Sequence, residues 1–97
     1  MEVDTWDFSE SEFWYKQNLD ALMFDAEYDG DRYVFAIPVG VINDHFGTDD
    51  SKEDAFDNYQ ENIGDFQDMA VRFASDVESD DETPHYFIGS DDFSDYF

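Results

Sequence analysis

Cysteine is absent from this 97-residue chain, and positive charge nearly so. Without cysteine there is no disulfide framework, no thiolate nucleophile and no cysteine-based zinc site. Only Lys16, Arg32, Lys52 and Arg72 are cationic, so DNA and anionic membranes would repel the chain. No apolar run approaches the ~20 residues of a membrane span. The opening stretch, MEVDTWDFSESE, is acidic where a signal or transit peptide would be basic. These absences together predict a soluble cytoplasmic protein. Gly-rich phosphate loops and the glycine pattern of a nucleophile elbow are also missing.

What is present is acid and aromatic. Asp and Glu number 27, giving a formal net charge of -23, and aromatic residues make up 20% of the chain. A disordered acidic segment lacks large apolar groups, so Phe 11 and Tyr 6 argue for a folded domain. The length suits one domain with a modest core. Self-repulsion on this scale disfavours the compact state, which points to a reason outside stability. A basic partner is one such reason, and a cytoplasm at very high salt is another.

The longest pattern runs from Ser51 to Glu82. Phe56, Tyr59, Ile63, Phe66, Ala70, Phe73 and Val77 recur at steps of three and four, which places them on one stripe of an α-helix. Asp54, Asp57, Glu61, Asp65, Asp68 and Asp76 fall on the opposite stripe. Ser51 is a good N-cap, with Asp54 three residues on. The spacing therefore predicts one long amphipathic helix, with Gly64 in its middle costing about 1 kcal/mol relative to Ala. Acids at Glu78 to Glu82 oppose the helix dipole, so its last turn should fray.

Earlier in the chain, Glu2 to Phe8 alternates as a short strand, and SESEFWYKQ reads as one or two helical turns opened by Ser9 and Glu12. Leu22 to Tyr28 alternates cleanly, Asp29-Gly30-Asp31 is a turn signal, and RYVFAI returns as a second, central strand buried on both faces. Pro38 suits a helix start, with Val39 to Phe46 a short helix stopped by Gly47. HYFIG reads as a third strand, and SDDFSDYF, from about residue 90, as a loosely ordered tail. The fold class is α+β: a mainly antiparallel sheet with a central hairpin and helices on one face.

DALMFDAEYDGDRYVFAIPVGVINDHFG, a long helix and YFIGSDDF together resemble a family of small bacterial proteins of unknown function. That resemblance covers residues 20 to 93 and implies an α+β fold with no assigned activity. The acidity of this chain departs from the family pattern and suggests a repurposed scaffold.

Candidate chemistry is thin. His45 is expected as a packed or capping residue at a helix end, and His85 as a strand-edge residue. Asp29-Gly30-Asp31 and Asp49-Asp50 lack the calcium-loop pattern. Carboxylate pairs among 27 acids carry no information about glycoside chemistry. No catalytic residue, cofactor or metal site is expected, and the chain is not read as an enzyme.

The surface itself is the signal. Ten acids lie between Asp54 and Glu82 along a helix of about 43 Å, roughly one charge per ~4 Å against ~3.4 Å per phosphate of a DNA strand. Asp25, Glu27, Asp29 and Asp31 of the hairpin are expected to form a second acidic row. The type resembles phage DNA mimics: antirestriction proteins, uracil-DNA glycosylase inhibitors and anti-CRISPR proteins. The expected partner is a basic nucleic-acid-binding protein with a Lys/Arg-lined DNA channel, first a type I CRISPR surveillance complex. The competing readings are a haloadapted cytosolic protein and an acidic binder of another basic protein.

Overall fold

The structure, a computed structural model, describes residues 6–49 and 51–97. In chain order it contains β1 (Trp6–Asp7), β2 (Phe13–Lys16), β3 (Ala21–Tyr28), β4 (Asp31–Pro38), α1 (Val39–Phe46), α2 (Lys52–Glu61), α3 (Ile63–Asp76), β5 (Tyr86–Phe87) and α4 (Ser90–Tyr96). The β3–β4 hairpin is the spine. Tyr28 pairs with Asp31 around a two-residue turn, where Asp29 and Gly30 both take positive φ, 55° and 85°. That geometry matches the right-handed twist of the flanking strands, and Asp-Gly supplies it at low cost.

The sheet order is β1-β3-β4-β5, with β2 also on the outer edge of β3. Every pairing is antiparallel except β4 with β5. A parallel pair needs a long crossover, and α1, α2 and α3 supply it. Strand alternation then divides the hairpin. Leu22, Phe24, Phe35 and Ile37 pack with the helices, whereas Ala21, Met23, Val34 and Ala36 form a separate small cluster with Trp14. Val34 to Ile37 are all buried, as expected of a strand covered on both faces.

The helical face is closed by rings. Phe24 stacks on Phe35 at 5.1 Å and Phe35 on Tyr86 at 5.0 Å, while Tyr59 meets Phe24, Phe13 and Phe66 within 5.3 Å. Side-chain amides of Asn43 and Asn58 bond to the loop between α1 and α2, at the Ser51 carbonyl and the Thr48 hydroxyl. Gly47 ends α1 in the left-handed conformation, and Ser51 caps α2 by accepting from Asp54 N–H at 3.2 Å. Both stop and start signals were local and act as local chemistry predicts.

Three expectations change, and a fourth is described only in part. The strand predicted over Glu2 to Phe8 is described only as β1, its first residues lying outside the described residues. The helical turns predicted at Ser9 to Gln17 are replaced by β2. Ser9 N–H bonds to Asp7 Oδ1 and Glu12 N–H to Asp25 Oδ1, so both halves of the supposed capping box are engaged elsewhere. Phe13 and Tyr15 then point to the helical core, which the FWYK alternation permits.

The single long helix is two helices. Asn62 leaves helical geometry at φ -127°, ψ 30°, and its carbonyl accepts from Asp65 and Phe66 to start α3. The break leaves Ile63 exposed and brings Met69 into the core beside Phe66, Ala70 and Phe73. Gly64 thus sits in a first turn, not mid-helix. At the other end α3 stops at Asp76, and Glu78 to Glu82 lie in irregular chain, where their charge does not oppose a dipole. The tail expected to be loose from residue 90 forms α4, with Phe93 buried and stacked on Phe97 at 4.7 Å.

Candidate acidic binding surface

Helical periodicity puts the acids of α2 and α3 where it puts the aromatic stripe's opposite. Asp57, Glu61, Asp65, Asp68 and Asp76 are exposed, and Asp54 is half-buried at the start of α2. α4 packs beside α3 and adds Asp91 and Asp95 to the same side of the molecule. Tyr96 reports the joint field. Its hydroxyl donates to Asp76 Oδ2 at 2.7 Å, and that bond is the main cause of its raised pKa. Desolvation and then the charges of Asp76, Asp92 and Asp95 push it the same way.

The few cations do little to dilute this surface. Arg72 bridges Asp68 at 3.4 Å and donates to the Tyr96 carbonyl, so it fastens α4 to α3. Lys52 lies 5.0 Å over the Tyr15 ring, and Arg32 lies 5.7 Å over Trp14 while bonding Asp25. With Glu2, Asp4 and Asp50 set aside as outside the described residues, the rest of the -23 net charge is carried by a body of 43 × 25 × 24 Å. That is one net charge per ~2 Å of long axis, against ~1.7 Å for duplex DNA.

The hairpin acids do not form the expected second row. Asp25 is only 8% exposed: Oδ2 accepts from Arg32 Nε at 2.7 Å and Oδ1 from Glu12 N–H at 2.8 Å. It is a structural carboxylate that ties β3 to the β1–β2 connection, and it is withdrawn from the binding surface. Glu27 is exposed, but alternation from Asp25 puts it on the sheet face away from the helices. Asp29 and Asp31 are exposed at the turn. The helical acids thus stay exposed on α2 and α3, while the hairpin acids are divided between the turn, the opposite face and a part-buried ion pair. Arg32 and Trp14 were not singled out from sequence. The signal was there: Arg32 is opposite Glu27 and diagonal to Asp25 once the hairpin register is drawn.

A hollow of about 400 Å³ opens beside Asp25, lined by Asp7, Glu10, Ser11, Ala26, Glu27 and Arg32. Asp7 at its rim has a lowered pKa because the Ser9 hydroxyl and N–H bond its carboxylate. Among the described residues, no group of three or more His, Asp or Glu is arranged to hold a metal ion. His45 is exposed, with its ring edge-on to Phe46, Phe93 and Phe97 within 5.2 Å. His85 Nδ1 accepts Val34 N–H at 2.9 Å, which makes its imidazole part of the sheet edge. Burial pushes the Tyr59 phenol up to about 12, against a smaller opposing effect of the Ser11 hydroxyl.

No protein-family model and no curated protein matches this chain. Among solved structures, the chain is similar to a protein of unknown function of the DUF1488 family from Shewanella loihica PV-4. The TM-score is 0.73 at 18% identity, over 91% of this chain and 94% of the other. At that identity the likeness establishes the α+β fold alone. No helix among the described residues is long and apolar enough to cross a membrane.

Proposed function

We propose that this protein is an acidic DNA mimic that inhibits a basic nucleic-acid-binding protein by occupying its Lys/Arg-lined DNA channel. The observation that carries the reading is the net charge of the whole body per length of its long axis, close to that of duplex DNA, on a scaffold where three of the four cations are engaged internally. Carboxylates fixed on α2, α3 and α4 can meet the Arg and Lys groups that otherwise meet phosphates. Association would release counterions and gain electrostatic steering, as nucleic acid does. Bacterial defence and DNA-processing proteins offer such channels, and a type I CRISPR surveillance complex is the first target to test.

The experiment is competition. Purified surveillance complex is loaded with labelled target DNA, and this protein is titrated in at ~0.1 M salt, where the Debye length is ~10 Å. The expected result is displacement of DNA, weakening steeply as salt rises. Changing Asp57, Glu61, Asp65 and Asp68 together to Asn or Gln should lower the affinity by about tenfold or more while circular dichroism is unchanged. A complex that holds DNA and this protein together refutes mimicry for that partner. A chain that is unfolded at ~0.1 M salt and folds only in molar salt supports haloadaptation instead.

A further inference from the structure

β5 pairs with only Phe35 and Ala36, so the edge of β4 before them must find partners elsewhere. Val34 shows where they come from. Its carbonyl accepts the His85 N–H at 2.9 Å, and its own N–H donates to His85 Nδ1, also at 2.9 Å. One residue thus serves both main-chain groups, the first through its backbone and the second through its ring. Val34 is 2% exposed, so its N–H has little access to water once the ring leaves. A ring nitrogen that accepts carries no proton, which puts the hydrogen of the neutral imidazole on Nε2. The surroundings are acidic and phenolic. Tyr33 of β4 stands edge-on to the ring at 5.4 Å, and Asp80, from the α3–β5 connection, donates its N–H to the His85 carbonyl at 2.9 Å. Asp81 and Glu82 follow on that connection, Tyr86 is next on β5, and Arg32 of β4 is turned to Asp25.

We infer that His85 is a proton-operated latch: proton uptake at Nδ1 breaks the bond to Val34 and loosens the connection that leads into β5. The two states exclude each other. A proton on Nδ1 turns the acceptor into a donor, which then faces the Val34 N–H, donor against donor. The imidazolium swings outward, where water or a carboxylate can take both of its N–H groups, and the Val34 N–H is left without a partner. The next bond along specifies what is loosened. Asp80 is held by the His85 carbonyl, so the acidic run Glu78 to Glu82 is tethered to the sheet through this one residue. Tyr86 remains stacked on Phe35 at 5.0 Å, and the Ile88 N–H remains on the Ala36 carbonyl at 2.8 Å. Opening is therefore local. The latch does not depend on the function proposed above.

Heteronuclear NMR of the whole chain tests it, from pH ~8 to pH ~5, either side of the ~6.5 of a free imidazole. At the upper end the ring should show a bare Nδ1 and a protonated Nε2, and the Val34 amide should resist hydrogen exchange. As the imidazole titrates, the Val34 protection factor should fall by about tenfold or more. That of Phe24, paired between β2 and β4, should hold. His85→Asn places an amide oxygen near the position of Nδ1 and cannot titrate, so Val34 should stay protected throughout. His85→Leu supplies no acceptor and should leave Val34 unprotected at every pH. A wild-type ring with its hydrogen on Nδ1 at pH ~8 overturns the inference. So does a Val34 amide that ignores the titration, or one that loses protection together with Phe24. The wild-type signals decide even where a variant fails to fold.

Discussion

The sheet face that carries Trp14 and Arg32 holds one carboxylate, Asp25, in a way that the helical layer on the other side does not. On the first, Asp25 is packed and accepts from both a guanidinium and a backbone N–H. On the second, Asp57, Glu61 and Asp65 stand in solvent on a layer whose inner side is aromatic and aliphatic. Burial requires matching, because an unpaired charge in low dielectric is expensive. Solvent removes that requirement, and the helices accumulate charge up to the limit set by mutual repulsion. The difference teaches that net charge alone does not identify a surface. What identifies it is which acids are left unmatched.

Measurements can break or sharpen this contrast. The largest effect is expected at the inner side of the helical layer: Phe66→Ala should cost about 3–5 kcal/mol in urea unfolding. Next is Tyr59, whose folded pKa of about 12 lies above the ~10 of an unfolded phenol. Its contribution is fully present below pH ~10 and is lost as pH rises toward 12, a loss of about 2–3 kcal/mol by linkage. Tyr59→Phe should remove that alkaline step, read by denaturation at pH 9 and pH 11.5.

Asp25→Ala and Asp57→Ala then compare the two carboxylate environments directly. The first strands Glu12 N–H and Arg32 and should cost about 1.5–3 kcal/mol. The second should change stability by about 0.5 kcal/mol or less. Equal effects would remove the distinction between matched and unmatched acids. The smallest change expected is a gain. Gly64→Ala meets no atom within 4 Å, in a helical first turn, and should stabilise by about 0.5–1 kcal/mol.

The parts that were legible in the sequence are those fixed by neighbours along the chain. Asp29-Gly30 between two alternating runs is sufficient for the hairpin, and Gly47 and Ser51 mark helix ends by their own side-chain and backbone properties. The aromatic stripe is legible too, because period 3.6 survives the break at Asn62 with little phase error. The break itself is not, since Ile63 fits the stripe in sequence and leaves it only in three dimensions. β2 was hidden because SESE suggests a capped helix until Asp25 claims Glu12 N–H from across the hairpin. α4 owes its order to the core site of Phe93 and the clamp from Arg72, both supplied by distant residues. The candidate site follows the same rule: exposed helical acids were readable, whereas the burial of Asp25 depends on Arg32.

The break at Asn62 has a consequence for recognition by shape. A continuous helix would be a straight ruler of charge, able to lie along any straight groove. Here the ruler is jointed, with one arm of ~15 Å in α2 and another of ~21 Å in α3, and the backbone is redirected between them. Under the proposed mimicry, a partner would meet two helical arms in place of one continuous row. The joint would then bear on the choice of partner in a way that no count of charges reveals.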